Sequence, residues 1–457
     1  MNAFFPPALL GWFAATALTV GAAEPSSIPA APLAHHAAFG TNRVAITPEL
    51  LAALAAELRT NHPTLRAAQA RANAAGLDAA GVRRFEDPTF KLGGSVASPR
   101  GFKTEEEGDL VYGVEQKLPL LGKEKAARGR AEAEAATEAE RSEVRFEELR
   151  RELARAVFAS ALAEATVQLG TEDLAWLDTT QAATEARYQA GTSSQFELLR
   201  VQNERAKRAT QIANDELRRD AARALVNHSL GREPRAPLPA FSLPALADEV
   251  AFLPVLTALA ERHGPDLRVL RRERAAAATT VEVTRRSQRP DVALGVEGRQ
   301  FSGDGGLREG LFTVSFSLPW FNRANYHRDL ARDRERLHAV EEDQADAAIS
   351  LHNEIHHLTV EAETARREGL LYRDEVLSRS ERALAAAHAA WSGGRGMMND
   401  VLEARRMLVE SRLMLARATA EQWGSLSDLA YLCGLPDATT LKATTRNPLP
   451  EAKPSVQ

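Results

Sequence analysis

The chain has 457 residues, 44% of them hydrophobic and 26% charged, with a formal net charge of -5. Those proportions are ordinary for a folded protein of two or three domains, and the absence of a dominant basic face argues against nucleic-acid binding. Aromatics are only 6% and there is one cysteine, Cys433, so neither a disulfide framework within the chain nor a Cys-based zinc site is possible.

Ala8 to Val20 form an apolar run, followed by Gly21-Ala22-Ala23, Glu24 and a Pro-rich polar stretch. This pattern predicts a secretory signal peptide over 1–23, cleaved near Ala23, although no Lys or Arg precedes the run. No cysteine follows it, which argues against a lipid anchor. Residues 24–47 are expected to be loose. Elsewhere no run of about 20 apolar residues occurs, so no transmembrane helix is expected.

From residue 48 onwards the chain repeats itself. Pro63 has its partner in Pro265, and Asp87-Pro88-Thr89 in Arg289-Pro290-Asp291, both at an offset of 202. Val114 to Pro119 matches Val314 to Pro319 at 200, and Tyr188 to Gly191 matches Trp391 to Gly394 at 203. Such a period is too long for a solenoid and implies two similar halves, 48–230 and 255–436. The Pro-rich stretch 231–254 between them reads as an extended linker, and 437–457 as a loose tail.

Each half opens with a helix, Pro48 to Phe85 and Val255 to Gln288. Two alternating segments follow in each. Phe90 and Leu92 alternate with Lys91 and Gly93, and Leu110, Tyr112 and Val114 with Val111, Gly113 and Glu115. Val292, Leu294 and Val296, then Phe312, Val314, Phe316 and Leu318, repeat the pattern. Period two predicts strands with one apolar and one polar face, paired as hairpins across Pro99 to Asp109 and Ser302 to Gly310.

No proline occurs between Pro119 and Pro234, nor between Pro319 and Pro436. Both stretches are rich in Ala, Glu, Arg and Leu, which predicts very long helices. Leu149, Leu153, Ala156, Ser160, Ala163, Val167, Gly170, Leu174 and Leu177 are spaced 4,3 throughout, and Leu351, Ile355, Leu358, Ala362, Ala365, Gly369, Tyr372 and Val376 keep the same rhythm. This is a heptad seam of mostly small or apolar residues, demanding a close helical partner. The helices should turn at Gly191 and Gly394 and return as Phe196 to Leu230 and Val401 to Leu432.

Strands of this length suit a bilayer-spanning barrel, with Glu115 and Glu297 towards a wet lumen and Leu294 and Phe316 towards lipid. Four strands are too few to close one, and an open sheet edge is not tolerated in lipid, so several chains would have to build it together. A water-soluble sheet packed on helices fits the strands alone equally well.

The segments Val114-Glu115-Gln116-Lys117-Leu118-Pro119-Leu120-Leu121-Gly122-Lys123 and Ser315-Phe316-Ser317-Leu318-Pro319-Trp320-Phe321-Asn322-Arg323 carry a resemblance. So do Tyr188-x-x-Gly191-x-x-x-x-Phe196-Glu197-Leu198-Leu199 and Trp391-x-x-Gly394-x-x-x-x-Asn399-Asp400-Val401-Leu402. In order and duplication the chain resembles the TolC-like outer-membrane efflux family over nearly its whole mature length. The resemblance implies a mainly α fold with a small β part: long antiparallel coiled-coil helices forming an α-barrel, and four strands per chain in a trimeric 12-stranded outer-membrane β-barrel. It implies a homotrimer serving as a passive exit duct from the outer membrane through the periplasm. A periplasmic adaptor and an inner-membrane efflux pump would feed it; no cofactor and no catalysis are implied.

By the same resemblance Asp400, Glu403 and Glu197 match the periplasmic aperture. Asp400 and Glu403, three apart, share a helix face, and copies around an axis would form negative rings. Ordinary exposed acids near a helix N-terminus are the plainer reading. Tyr188, Gly191, Trp391 and Gly394 mark the helix-tip turns and adaptor contact, the glycines supplying positive φ. Pro119, Gly122 and Pro319 mark the change from strand to helix. His352, His356 and His357 form a cluster that either binds a metal or is solvated surface; their first-half counterparts are not histidines. No HExxH, phosphate-binding loop or nucleophile–base set appears. Gln116 to Lys123 is similar to heavy-metal resistance ducts, leaving metals, drugs and proteins as candidate cargo. The alternative function is a soluble periplasmic coiled-coil adaptor or scaffold, which leaves the paired strands unexplained.

Overall fold

The computed structural model describes residues 43–96, 108–250, 254–301 and 305–441. The expected signal peptide, the tail beyond Leu441 and parts of both hairpin loops lie outside the described residues. The first half comprises β1 (Arg43–Ala45), α1 (Pro48–Asn61), α2 (Pro63–Gly81), β2 (Thr89–Val96), β3 (Gly108–Leu118), α3 (Lys123–Gln189) and α4 (Gln195–Ser229). After β4 (Ala240–Ser242) come α5 (Pro254–His263), α6 (Pro265–Ser287), β5 (Val292–Phe301), β6 (Leu307–Phe316) and α7 (Arg323–Leu371). A π turn, Tyr372–Val376, joins α7 to α8 (Leu377–Ser392), and α9 (Met398–Leu432) returns.

Several expectations are corrected. The single opening helix of each half is two helices, broken at His62-Pro63 and Gly264-Pro265. Proline lacks the amide hydrogen and forces its predecessor out of the helical region; His62 takes ψ 122 and Gly264 ψ 132. The stretches expected to be loose or extended are partly ordered. Residues 43–45 form β1, which pairs in parallel with β4 from the Pro-rich stretch 231–254. β3 and β6 begin at Gly108 and Leu307, inside the segments assigned to the hairpin loops.

The heptad seam is buried over most of its expected length; Ala163, Leu174, Tyr372 and Val376 are only half-buried. On α3, Leu149, Leu153, Ala156, Ser160, Val167, Gly170 and Leu177 are buried. On α7, Leu351, Ile355, Leu358, Ala362, Ala365 and Gly369 are buried. A Cβ on Gly170 would stand 3.0 Å from Ile212 of α4, so close approach of the helices sets the small residue there. α3 runs for 67 residues without a break, about 100 Å at about 1.5 Å per residue.

The second long helix carries the π turn at 372–376. A π turn absorbs one extra residue in an α-helix. It coincides with the end of the seam, where Tyr372 and Val376 still keep the offset of 202, and precedes the tip, where the halves are offset by 203. The extra residue is thus taken up inside the helix, and both hairpins reach their turns in matching positions. α4 and α9 are each 35 residues long. They end at Gly231 and Gly434, again 203 apart, both left-handed with φ 71 and 67.

Candidate functional site: the sheet and the helical tips

The four long strands form one antiparallel sheet in the order β2-β3-β5-β6. Its register aligns Phe90, Val114, Val296 and Phe312 in one row. With Leu92, Tyr112, Val314 and Phe316 they make an apolar face that is exposed in the protomer. The opposite face aligns Lys91 with Glu297 and Glu115 with Thr313 across glycines. There Lys91 pairs with Glu115, and its Nζ is 3.8 Å from Glu297 Oε1. The Ser315 hydroxyl donates to Glu115 at 3.3 Å.

Glycine inside a strand requires a reason. A Cβ on Gly113 would stand 2.6 Å from Glu297 Cγ, so the glycine makes room for the carboxylate arm on the polar face. On the apolar face the Tyr112 ring lies over Gly298, where a Cβ would stand 3.1 Å from it, an aromatic covering a bare backbone. Among the described residues β2 and β6 each pair on one side only.

Beyond the sheet, the two junctions differ. Gly122, with φ 72, caps α3; its carbonyl accepts from Arg286 at 2.9 Å, and a Cβ there would stand 2.6 Å from that guanidinium. Lys123 pairs with Asp291 at 2.7 Å. In the second half Pro319, which is buried, opens a 3-10 turn ending at Asn322. Trp320 and Phe321 in that turn, with Phe85 and Leu120 of the first half, are exposed within a few residues of the strand ends. The period-two pattern stops before these aromatics, so strand reasoning did not reach them.

At the other end, the two tips share one backbone geometry. Gly191 has φ 74 and Gly394 φ 70. The amides of Thr192 and Arg395 reach back to the carbonyls of Arg187 and Ala390 at 2.9 Å, closing Schellman turns. Neither glycine would meet a neighbour within 4 Å if given a Cβ, so positive φ alone sets the residue. Their aromatic partners diverge: Tyr188 is exposed, whereas Trp391 is buried beneath Arg187. The Arg187 guanidinium stands 4.6 Å from the Trp391 ring centre and donates to the Trp391 carbonyl at 3.1 Å.

Asp400 lies at the third position of α9, exposed, and accepts from the Met397 amide at 3.4 Å. Glu403 is exposed one turn on and pairs with Arg406 at 3.2 Å. Glu197 holds the matching place on α4, where it accepts from the Ser193 hydroxyl. Ser194 caps α4 through its hydroxyl, whereas Met397 offers no such oxygen and Met398 is fully buried. The tips are therefore alike in backbone and unlike in surface.

One turn group deeper, Asp173 is buried on α3 and receives Arg208 of α4 at 2.6 Å and Arg405 of α9 at 2.8 Å. Arg406 of α9 bonds Glu204 of α4 at 2.6 Å. Burial works to raise the Glu204 carboxyl, but Arg406 and Lys207 hold it below the ordinary range. These contacts fasten the second hairpin to the first just above the tip. Sequence reasoning missed them; the available signal was an acid lying on the seam face between Gly170 and Leu177. Of the three clustered histidines, all on α7, His352 bonds Glu261 of α5 at 2.7 Å and His357 lies 3.6 Å from Glu361. Among the described residues of one chain no group of three or more acids, histidines or cysteines is placed to hold a metal, and no helix is long and apolar enough to cross a membrane.

The fold and these sites can be set against known proteins. No curated relative matches the sequence. Among solved structures, CusC superposes with a TM-score of 0.74 at 17% identity, covering 85% of this chain and 92% of that one. CmeC, the outer membrane channel of Campylobacter jejuni, gives 0.72 at 15%, covering 87% and 90%. VceC, an outer membrane protein of Vibrio cholerae, gives 0.70 at 19%, covering 84% and 96%. The fold is thus the TolC-like one, with two repeats of strand hairpin and helical hairpin. The outer membrane efflux protein family matches twice, over residues 54–232 and 256–435. One match per half, together spanning most of the chain, shows that this protein belongs to the outer membrane efflux protein family, whose members are channel proteins rather than enzymes.

Proposed function

We propose that three copies of this chain close their sheets into one 12-stranded barrel in the outer membrane and their helices into a periplasmic tube. The assembly would act as the passive exit duct of a tripartite efflux system. The observation that carries this reading is the sheet itself. It has one exposed apolar face, one polar face with Lys91, Glu115 and Glu297, and, among the described residues, a free edge at β2 and at β6. In hydrocarbon such edges need partners, which identical copies supply. Phe85, Leu120, Trp320 and Phe321 suit the aromatic and apolar girdle at the inner membrane surface.

The chain would be exported by its N-terminal signal, cleaved near Ala23. The tips at Gly191 and Gly394, with Tyr188 and Trp391, would face an adaptor, and Asp400, Glu403 and Glu197 would line the aperture. Pro119, Gly122 and Pro319 would set the bend from barrel to tube. Cargo delivered by an inner-membrane pump would include heavy-metal ions, following the similarity of Gln116 to Lys123 to heavy-metal ducts. The test is fractionation of expressing cells followed by mass measurement of the detergent-extracted protein and single-channel recording. A trimer in outer membranes that conducts in lipid supports the duct. A monomer that stays in solution without detergent would sink it.

A further inference from the structure

The two outer helices of the protomer each carry an exposed stripe on the side away from their neighbours. α4 turns Val201, Asp215 and Val226 into the protein. Its opposite side presents Ala206, Thr210, Ala213, Leu217, Ala221 and His228. α7 buries Leu351, Ile355 and Leu358, and its opposite side presents Ile349, Asn353, His356, Val360, Thr364, Arg367 and Leu371. Both stripes have helical-seam spacing and are largely small or apolar, like the seams already filled within the chain. Leu217 is 69% exposed and Ile349 71%.

The internal repeat supplies the register in which these stripes would meet. Inside the protomer, α3 packs on α9, the returning helix of the other half. The Arg151 guanidinium lies 4.4 Å from the Tyr431 ring centre, and Arg155 pairs with Asp428 at 3.1 Å. α7 is the repeat of α3, 202 residues on, and α4 is the repeat of α9, 203 residues back. In a closed ring α7 of one copy meets α4 of the next as α3 meets α9. Arg151–Tyr431 then maps onto Asn353–His228, and Arg155–Asp428 onto His357–Leu225.

This mapping sets His228 of one copy against the stretch of α7 that holds His352 and His356. Those two are four residues apart, the spacing with which two imidazoles on one helix share a metal ion. Glu261 bonds His352 Nε2 at 2.7 Å. A carboxylate on the far ring nitrogen is the usual orienting contact for a ligating histidine, and it leaves Nδ1 for the metal. His228 is exposed, with the buried His62 ring edge-on behind it at 6.5 Å. We propose that His352 and His356 of one copy and His228 of the next form a site for one divalent transition-metal ion, completed only between copies. Three imidazoles and a water give the tetrahedral set that zinc favours. The ion would tie neighbouring copies together midway along the tube. This inference rests on the ring-forming reading above.

The experiment uses the full chain purified in detergent, with zinc chloride as probe. Titration calorimetry and elemental analysis should give one zinc per chain, and zinc should raise the temperature at which the oligomer dissociates, reversibly with EDTA. His356→Gln and His228→Gln should each weaken zinc binding at least tenfold, although the two residues lie on different helices and on opposite edges of the protomer. In parallel, the pair Leu225→Cys and His357→Cys should be joined between chains by a short bis-maleimide, whose span replaces the long arginine of the Arg155–Asp428 contact. If the crosslink forms but zinc does not bind, the metal site is overturned and the ring stands. If His356→Gln abolishes binding while His228→Gln leaves it intact, sharing between copies is overturned. If no crosslink forms and the protein is monomeric, both the register and the ring reading fall.

Discussion

Arg187 of the first helical hairpin lies over the ring of Trp391 of the second, 4.6 Å from its centre, and also donates to its carbonyl oxygen at 3.1 Å. One side chain thus ties the two tips through a cation–π contact and a main-chain bond. Arg187→Ala should loosen the tip by about 1–2 kcal/mol. Hydrogen exchange should quicken at residues 384–402 and leave the strands unchanged. Arg187→Lys should recover little, because an ammonium cannot stack flat and donate sideways together.

Asp173 answers two arginines from two helices while nearly fully buried. Asp173→Ala should cost about 3–5 kcal/mol, since it strands two cations beneath the surface. Chemical unfolding of the extracted protein measures this. Asp178→Ala, which removes only the half-exposed partner of Arg205, should cost under about 1 kcal/mol.

The acids of the second tip are unequal. Glu403 already has Arg406 at 3.2 Å, whereas Asp400 has a main-chain amide at 3.4 Å. Asp400→Asn should therefore reduce the cation preference of the reconstituted pore more than Glu403→Gln does. Reversal potentials in a salt gradient distinguish the two. Equal shifts would show that both carboxylates face the same aperture with the same weight.

Asp333 carries the pH prediction. Arg332, with help from the Thr284 hydroxyl and Arg336, holds its carboxyl down to about 2. The ionised form therefore favours the fold. That stabilisation is complete above about pH 4, the ordinary range of the group, and drains away as pH falls towards 2. Wild-type protein should lose about 1–2 kcal/mol more than Asp333→Asn between pH 5 and 2, because its exposed arginine partners are screened by water.

Two left-handed glycines should respond differently to a methyl group. Gly394→Ala meets no neighbour and should cost about 1–2 kcal/mol of backbone strain. Gly434→Ala would press a Cβ to 2.4 Å from the His263 carbonyl oxygen and should cost several-fold more. Thermal melting of the pair measures the gap.

Much of this fold was legible because its signals are long. Dozens of residues without proline, a heptad rhythm and a duplication leave few alternatives, and period two in four places gave the hairpins. What escaped was set by single residues. The breaks at His62-Pro63 and Gly264-Pro265 hide inside otherwise helical sequence, and a π turn has no composition of its own. At the tips the turn glycines could be named, since positive φ leaves a chemical mark. The pairing of Arg187 with Trp391 and of Asp173 with two arginines could not, because partners from different hairpins meet only after the seam has set their heights.

Among the described residues β2 and β6 keep one rim unpaired, which bears on how the sheet could enter lipid. A solitary chain pushed into hydrocarbon would strand two rows of amides and carbonyls, each group costing several kcal/mol. If copies close the barrel as proposed, insertion one subunit at a time would be uphill until the ring is complete. Before the proposed ring closes, each chain would hold Phe90, Leu92, Phe312 and Phe316 uncovered in water. On that reading the exposed stripes of the outer helices would have to gather the copies before the sheet meets lipid.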